Sequence, residues 1–173
     1  MRNRRRPGER FFDHKDHKEH RDHKERRERT QRKDKSESAF VRSIRQYAPI
    51  PPELDKAARE IIGAAIEVHR HLGPGMRETI YERAMMHELQ MRGLTFQQQV
   101  PIVLKYKDIE IHGQRADLVV DPGVLVELKA IEQLMKIHER QIVSYLKSTG
   151  YRLGLLINFN VMILKEGIRR VVN

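Results

Sequence analysis

The chain has 173 residues, with 34 Lys+Arg against 24 Asp+Glu and neither Cys nor Trp. The length allows one ordinary domain with a tail. The missing Cys excludes a disulfide scaffold, Cys-ligated zinc, an iron–sulfur cluster and a thiol nucleophile; it fits a reducing compartment, so a cytoplasmic location is expected. No apolar run approaches the roughly 18–20 residues of a membrane helix, and no apolar stretch follows the basic N-terminus as a secretory signal requires.

The charge is local. Residues 1–48 carry 17 Lys+Arg and 9 Asp+Glu, whereas residues 49–173 carry 17 and 15. The first segment is poor in aliphatic residues, so burial cannot offset its ordering entropy, and a disordered basic tail is expected over 1–48. Four acid–His–base triplets repeat inside it, from Asp13-His14-Lys15 to Asp22-His23-Lys24. A period of three drifts around a helix, so a solvated polyampholyte is the expectation and weak metal binding by the histidines the lesser alternative. Attraction to phosphate through Arg2, Arg4, Arg5 and Arg6 is compatible with either. Pro49, Pro51 and Pro52 mark a linker over 49–53, and a domain is expected over 54–173.

Prolines before Glu53 suit a helix start, and Ala58, Ile62, Ala65, Ile66, His69 and Leu72 keep helical spacing up to the stop at Gly73-Pro74-Gly75. A second helix is predicted over 77–92, with Tyr81, Ala84, Met85 and Leu89 inward. Residues 95–106 read as a strand, 105–108 as a turn, and 109–111 and 114–120 as two short strands. After the Asp121-Pro122-Gly123 turn, residues 124–130 form a strongly apolar strand that belongs at the centre of a sheet. A helix over 134–148, a buried strand over 152–157 and a final hairpin (161–164 and 168–172 around Glu166-Gly167) complete an α/β domain on a mixed central sheet flanked by helices.

Strand 124–130 holds an anomaly. Alternation puts Glu127 and Lys129 on one face with Leu125, and ionisable groups in the most apolar strand need a reason. A three-residue turn at 121–123 pairs Leu118 with Val126, Ala116 with Leu128, and Asp117 with Glu127. Two facing carboxylates repel unless a cation lies between them, and a hard divalent ion is the natural one. Lys129 could then neutralise developing negative charge. The competing reading is an internal salt bridge in which Lys129 satisfies both acids. Glu78 sits in the first turn of the second helix, where a helix-dipole role is the plain account. His69 on an apolar face reads first as a hydrogen-bonded core residue. His138, Gln141 and Tyr145 form one polar stripe, either solvated or lining a cleft over Glu127.

Gly75-Met76-Arg77-Glu78-Thr79-Ile80-Tyr81 resembles the G-x-x-E-x-x-Y signature of the GxxExxY protein family. Further motifs follow in order: Arg115-Ala116-Asp117-Leu118, Val126-Glu127-Leu128-Lys129-Ala130, His138-Glu139-Arg140-Gln141, Tyr145 to Gly150, and Gly154 to Phe159. The resemblance spans residues 54–173 and leaves the tail outside. It implies a PD-(D/E)xK, restriction-endonuclease-like fold, with Asp117 and Glu127 holding Mg²⁺ (Mn²⁺ as a substitute) and Lys129 as the catalytic lysine. Glu78 would complete the acidic cluster as a third metal ligand. Gln141 and Tyr145 would belong to the RecB-like helix motif that positions substrate or lysine, with His69, His138 and Tyr81 as further positioning residues. Ala116 stands where the superfamily's name has Pro. The expected function is a Mg²⁺-dependent nuclease acting on DNA, with RNA as the second substrate; the alternative is a binding module of nuclease fold with little turnover.

Overall fold

The computed structural model describes residues 49–173; the expectations for the tail lie outside the described residues. The described chain runs α1 (Pro52–Leu72), α2 (Glu78–Met91), β1 (Phe96–Tyr106), β2 (Ile109–Val120), β3 (Val124–Lys129), α3 (Lys136–Thr149), β4 (Leu153–Asn158), a 3₁₀ turn (Leu164–Gly167) and β5 (Ile168–Val172). The strands lie in chain order in a five-stranded sheet. β3 and β4 are parallel, joined by α3, and the other neighbours are antiparallel. This is the expected mixed sheet with helices on it, and β3 is its middle strand.

One apolar layer lies between the sheet and the first two helices. Leu118, Val120, Val124, Val126 and Leu128 meet Ala58, Ile61, Ala65, Tyr81 and Met85 there. The α1 stripe is turned from its expected setting: Ile61, Ala64 and Val68 are buried, whereas Ile66 and Leu72 are exposed. Four alanines (57, 58, 64 and 65) make the flat face that packs. The larger apolar residues one position on are thereby turned outward. The Tyr81 ring stacks on Phe159 at 4.4 Å, and its hydroxyl donates to the Gly73 carbonyl at 2.6 Å and accepts the Met76 amide at 3.2 Å. Tyr81 therefore pins the loop between α1 and α2 to the core.

The second layer, under α3, holds Ile102, Ala116, Leu125, Ile142, Leu146 and Leu156. Gly154 makes its close approach possible, since a Cβ there would stand 2.6 Å from the Ile142 side chain. Gly167 plays the same part at the end of β4: a Cβ on it would sit 2.3 Å from the Asn158 carbonyl oxygen. The segment before it winds into the 3₁₀ turn instead of the expected strand over 161–164, and β5 pairs with β4.

β2 is one strand of twelve residues where two short ones are expected, with a register shift between Ile102 and Leu104 on its partner β1. The two strands also change layers. Phe96 packs toward α1 and α2, but Val100, Ile102 and Leu104, of the same parity, pack under α3. Ala116 and Leu118 divide in the same way. The change falls at Gln99, whose φ of 50° lies in the left-handed region that a non-glycine residue rarely adopts. Simple alternation does not anticipate this.

Candidate functional site

The site grows out of that irregularity. β2 pairs with β3 through Val120–Val124, Val119–Leu125 and Leu118–Val126, the register expected from a three-residue turn, but the ladder stops there. The expected Ala116–Leu128 and Asp117–Glu127 pairs do not form. Asp117 sits between residues that pack on opposite layers, and its Oδ2 accepts the Leu128 amide at 2.7 Å in place of a backbone partner. The carboxylate thus closes the gap where the strands part. Burial raises its pKa above the ordinary value, opposed by the Leu128 hydrogen bond and the charge of Lys129; Glu78 and Glu82 add to the rise.

Glu127 is 3% exposed. Its Oε1 accepts Lys129 Nζ at 2.7 Å and Gln141 Nε2 at 3.1 Å. Its Oε2 is buried and has no hydrogen-bond partner. Burial first, and Asp117 second, push its pKa from 4.5 to about 7 despite the bond from Lys129. For Lys129, burial works to lower the pKa, but the bond to Glu127 and the surrounding acids outweigh it and hold the value above 10.5. Lys129 is a cation here and forms the Glu127 half of the salt bridge weighed from the sequence, whereas Asp117 is bonded by the Leu128 amide instead. The bridge satisfies one oxygen of Glu127 and leaves the other bare.

Two elements bring the remaining groups. α3 carries Gln141, which donates from Nε2 to Glu127 and also to the Tyr145 hydroxyl at 2.7 Å; Tyr145 donates in turn to Gln114 Oε1 at 2.7 Å. Burial raises the Tyr145 pKa, so the hydroxyl remains a donor. Glu78, at the N-terminus of α2, acts on Asp117, Glu127 and Lys129 through its charge. Among the described residues no three His, Cys, Asp or Glu side chains are gathered as a ready ligand set, so the acidic site is a pair with Glu78 acting on it from α2.

The other expected residues lie elsewhere. His69 Nε2 donates to the Val161 carbonyl at 2.8 Å, tying α1 to the segment after β4. His138 Nδ1 accepts the Met135 amide at 3.0 Å and satisfies an otherwise unpaired N–H at the start of α3. Tyr81 belongs to the core and the α1–α2 loop. Two residues not anticipated, Gln114 and Glu82, stand beside the site. Gln114 ends the α3 relay. Glu82 accepts Gln98 at 3.2 Å and Gln99 at 2.7 Å, which holds the left-handed kink in β1. The spacing of Glu82 four residues after Glu78 is a sequence signal for a shared helix face; nothing comparable marks Gln114.

The donor set can be tested against a cation. Glu127, buried with a bare oxygen, and the half-buried Asp117 that acts on it through its charge offer hard oxygen ligands and an excess of negative charge that a divalent ion would relieve. The residues present fit such an ion.

Comparison with known proteins now gives the class. A model of the PD-(D/E)XK nuclease superfamily matches residues 55–171, which include Glu78, Asp117, Glu127, Lys129, Gln141 and Tyr145. The chain belongs to that superfamily, whose members are usually nucleases and typically use divalent metal ions. The mixed sheet with its three helices is consistent with the restriction-endonuclease-like fold. No curated protein matches. Among solved structures, the crystal structure of SSO0001 aligns with a TM-score of 0.39 and 19% identity, over 54% of this chain and 47% of that one. The alignment thus spans about half of each chain. No helix among the described residues is long and apolar enough to cross a membrane.

Proposed function

We propose that the domain is a divalent-metal-dependent nuclease of the GxxExxY type, hydrolysing phosphodiester bonds of DNA in the first place and of RNA as the second substrate. The observation that carries this reading is Glu127 Oε2, a buried carboxylate oxygen with no partner, next to a second carboxylate. Asp117 and Glu127 would hold the ion, with Glu78 contributing charge from α2. A bound Mg²⁺, or Mn²⁺ in its place, supplies Lewis-acid polarisation of a phosphoryl oxygen.

The chain's own residues do the rest. Lys129 is fixed by its bond to Glu127 Oε1 and remains protonated, so it presents a positioned charge to a phosphate oxygen and does not accept a proton. Gln141 occupies the same Oε1, which leaves Oε2 as the oxygen that would serve as a ligand to the ion. Tyr145, anchored on Gln114, keeps Gln141 from rotating away. The Leu128 amide holds Asp117 in orientation.

The test is incubation of the full-length chain with single- and double-stranded DNA and RNA, in Mg²⁺, in Mn²⁺ and in EDTA. Cleavage is expected with either metal, and none in EDTA or with Asp117→Asn. Substrates that stay intact throughout, or cleavage that persists in EDTA, would overturn the reading.

A further inference from the structure

The relay from Glu127 outward has a fixed direction. A carboxylate oxygen accepts, so Gln141 must present its NH₂ group there, and both of its N–H bonds are spent, on Glu127 and on Tyr145. Tyr145 gives its proton to Gln114 Oε1. Two amide ends then lie outside these bonds: the Gln141 carbonyl, an acceptor, and the Gln114 NH₂, a donor. Both residues line a cavity of about 390 Å³ between α3 and the β1–β2 hairpin. Leu104 and Ile137 supply apolar walls, and Arg140 and Ser144 lie on the α3 side. The volume falls within the range of roughly 300–1,000 Å³ typical of small-molecule sites.

We propose that this cavity is a nucleobase subsite, which receives one unpaired nucleotide of the substrate strand next to the bond to be cut. Apolar walls suit the faces of a base, which are bound without regard to sequence. An adjacent acceptor and donor suit its edge. Arg140, exposed at the cavity, suits the attached phosphate. The site is continuous with the catalytic pair, because Gln141 touches Glu127 and lines the cavity as well. A base paired in a duplex is stacked on both faces and has its Watson–Crick edge in use, so it cannot enter between the apolar walls. The subsite therefore favours single strands, frayed ends or unpaired loops. As a part of the reaction, this inference rests on the nuclease reading; as a binding site, it does not.

The experiment separates the two. Deoxyadenosine 5′-monophosphate and 2-deoxyribose 5-phosphate are titrated in EDTA into the full-length chain, followed by NMR. The comparison cancels whatever the basic tail adds through the phosphate. The nucleotide is expected to bind at least tenfold more tightly than the abasic sugar phosphate, with shifts at Ile137 and Ser144. Ser144→Phe fills the cavity from an exposed helix position and should weaken the nucleotide at least tenfold with an unchanged melting temperature. Arg140→Gln should weaken the nucleotide about threefold and leave deoxyadenosine, titrated in the same way as the phosphate-free control, unaffected. In Mg²⁺, Ser144→Phe should raise KM for single-stranded DNA more than it lowers kcat. Equal binding of nucleotide and sugar phosphate, or a Ser144→Phe protein that binds the nucleotide like wild type, would overturn the subsite. A wild-type chain that binds the nucleotide but cuts nothing would overturn the nuclease reading and support the pocket.

Discussion

Along β3, Val126 and Leu128 lie in the apolar layer beneath α1 and α2, while Glu127, between them in the chain, faces α3 with Lys129. The first layer is sealed by alanines and a stacked Tyr81–Phe159 pair. The second includes a hydrogen-bonded chain from Glu127 to Gln114 that ends at a cavity. One strand thus serves two opposite ends, stability on one side and an excess of negative charge on the other. The excess is tolerated because the apolar side supplies burial. Substitutions only one residue apart should therefore separate stability from chemistry.

The largest separation is expected at Glu127. Glu127→Ala should lower metal-dependent cleavage by on the order of 10³-fold and remove the heat of Mg²⁺ binding in calorimetry. Lys129→Ala should lower cleavage by about 10²–10³-fold with metal affinity nearly intact, since an ammonium is not a ligand. Leu128→Ala should do the reverse: a loss of about 2–5 kcal/mol in urea unfolding, with Mg²⁺ still bound.

Next comes pH. The folded pKa of Glu127, about 7, lies above the ordinary 4.5, so between these values the folded chain holds a proton that the unfolded chain has released. Stability that is fully present below pH 4.5 is lost as pH rises to about 7, a change on the order of 3 kcal/mol in the metal-free protein. Asp117 is shifted in the same direction. Glu127→Gln should flatten the profile in urea melts at a series of pH values. Metal affinity should run the opposite way and increase with pH, because the same proton must leave.

Smaller effects should sharpen the contrast. Tyr145→Phe removes the middle of the relay at a cost of about 1 kcal/mol in thermal unfolding, and it should lower kcat by more than it changes KM. Gln99→Gly relaxes the left-handed backbone and loses the bond to Glu82. The two terms are each about 1 kcal/mol, so the melting temperature should barely move.

Much of the molecule is legible in the chain. The apolar run of β3 places it at the sheet centre, the three-residue turn sets its register with β2, and alternation puts Glu127 and Lys129 on one face. These are local properties, in which a period of two and a turn length leave few options. The ordered motifs likewise mark Asp117, Glu127, Lys129, Gln141 and Tyr145. Other features depend on contacts between distant residues. The rotation of α1 depends on which face of small residues meets the sheet. The end of the ladder at Asp117 depends on the kink at Gln99, which in turn rests on Glu82 of α2. The roles of His69 and Tyr81 are set by the Val161 and Gly73 carbonyls, neither of which follows from a pattern. The bare oxygen of Glu127 exists because Lys129 and Gln141 both choose Oε1. Sequence determined which groups face the same side of the strand; only packing across the two layers decided which of their atoms are satisfied and which remain without a partner.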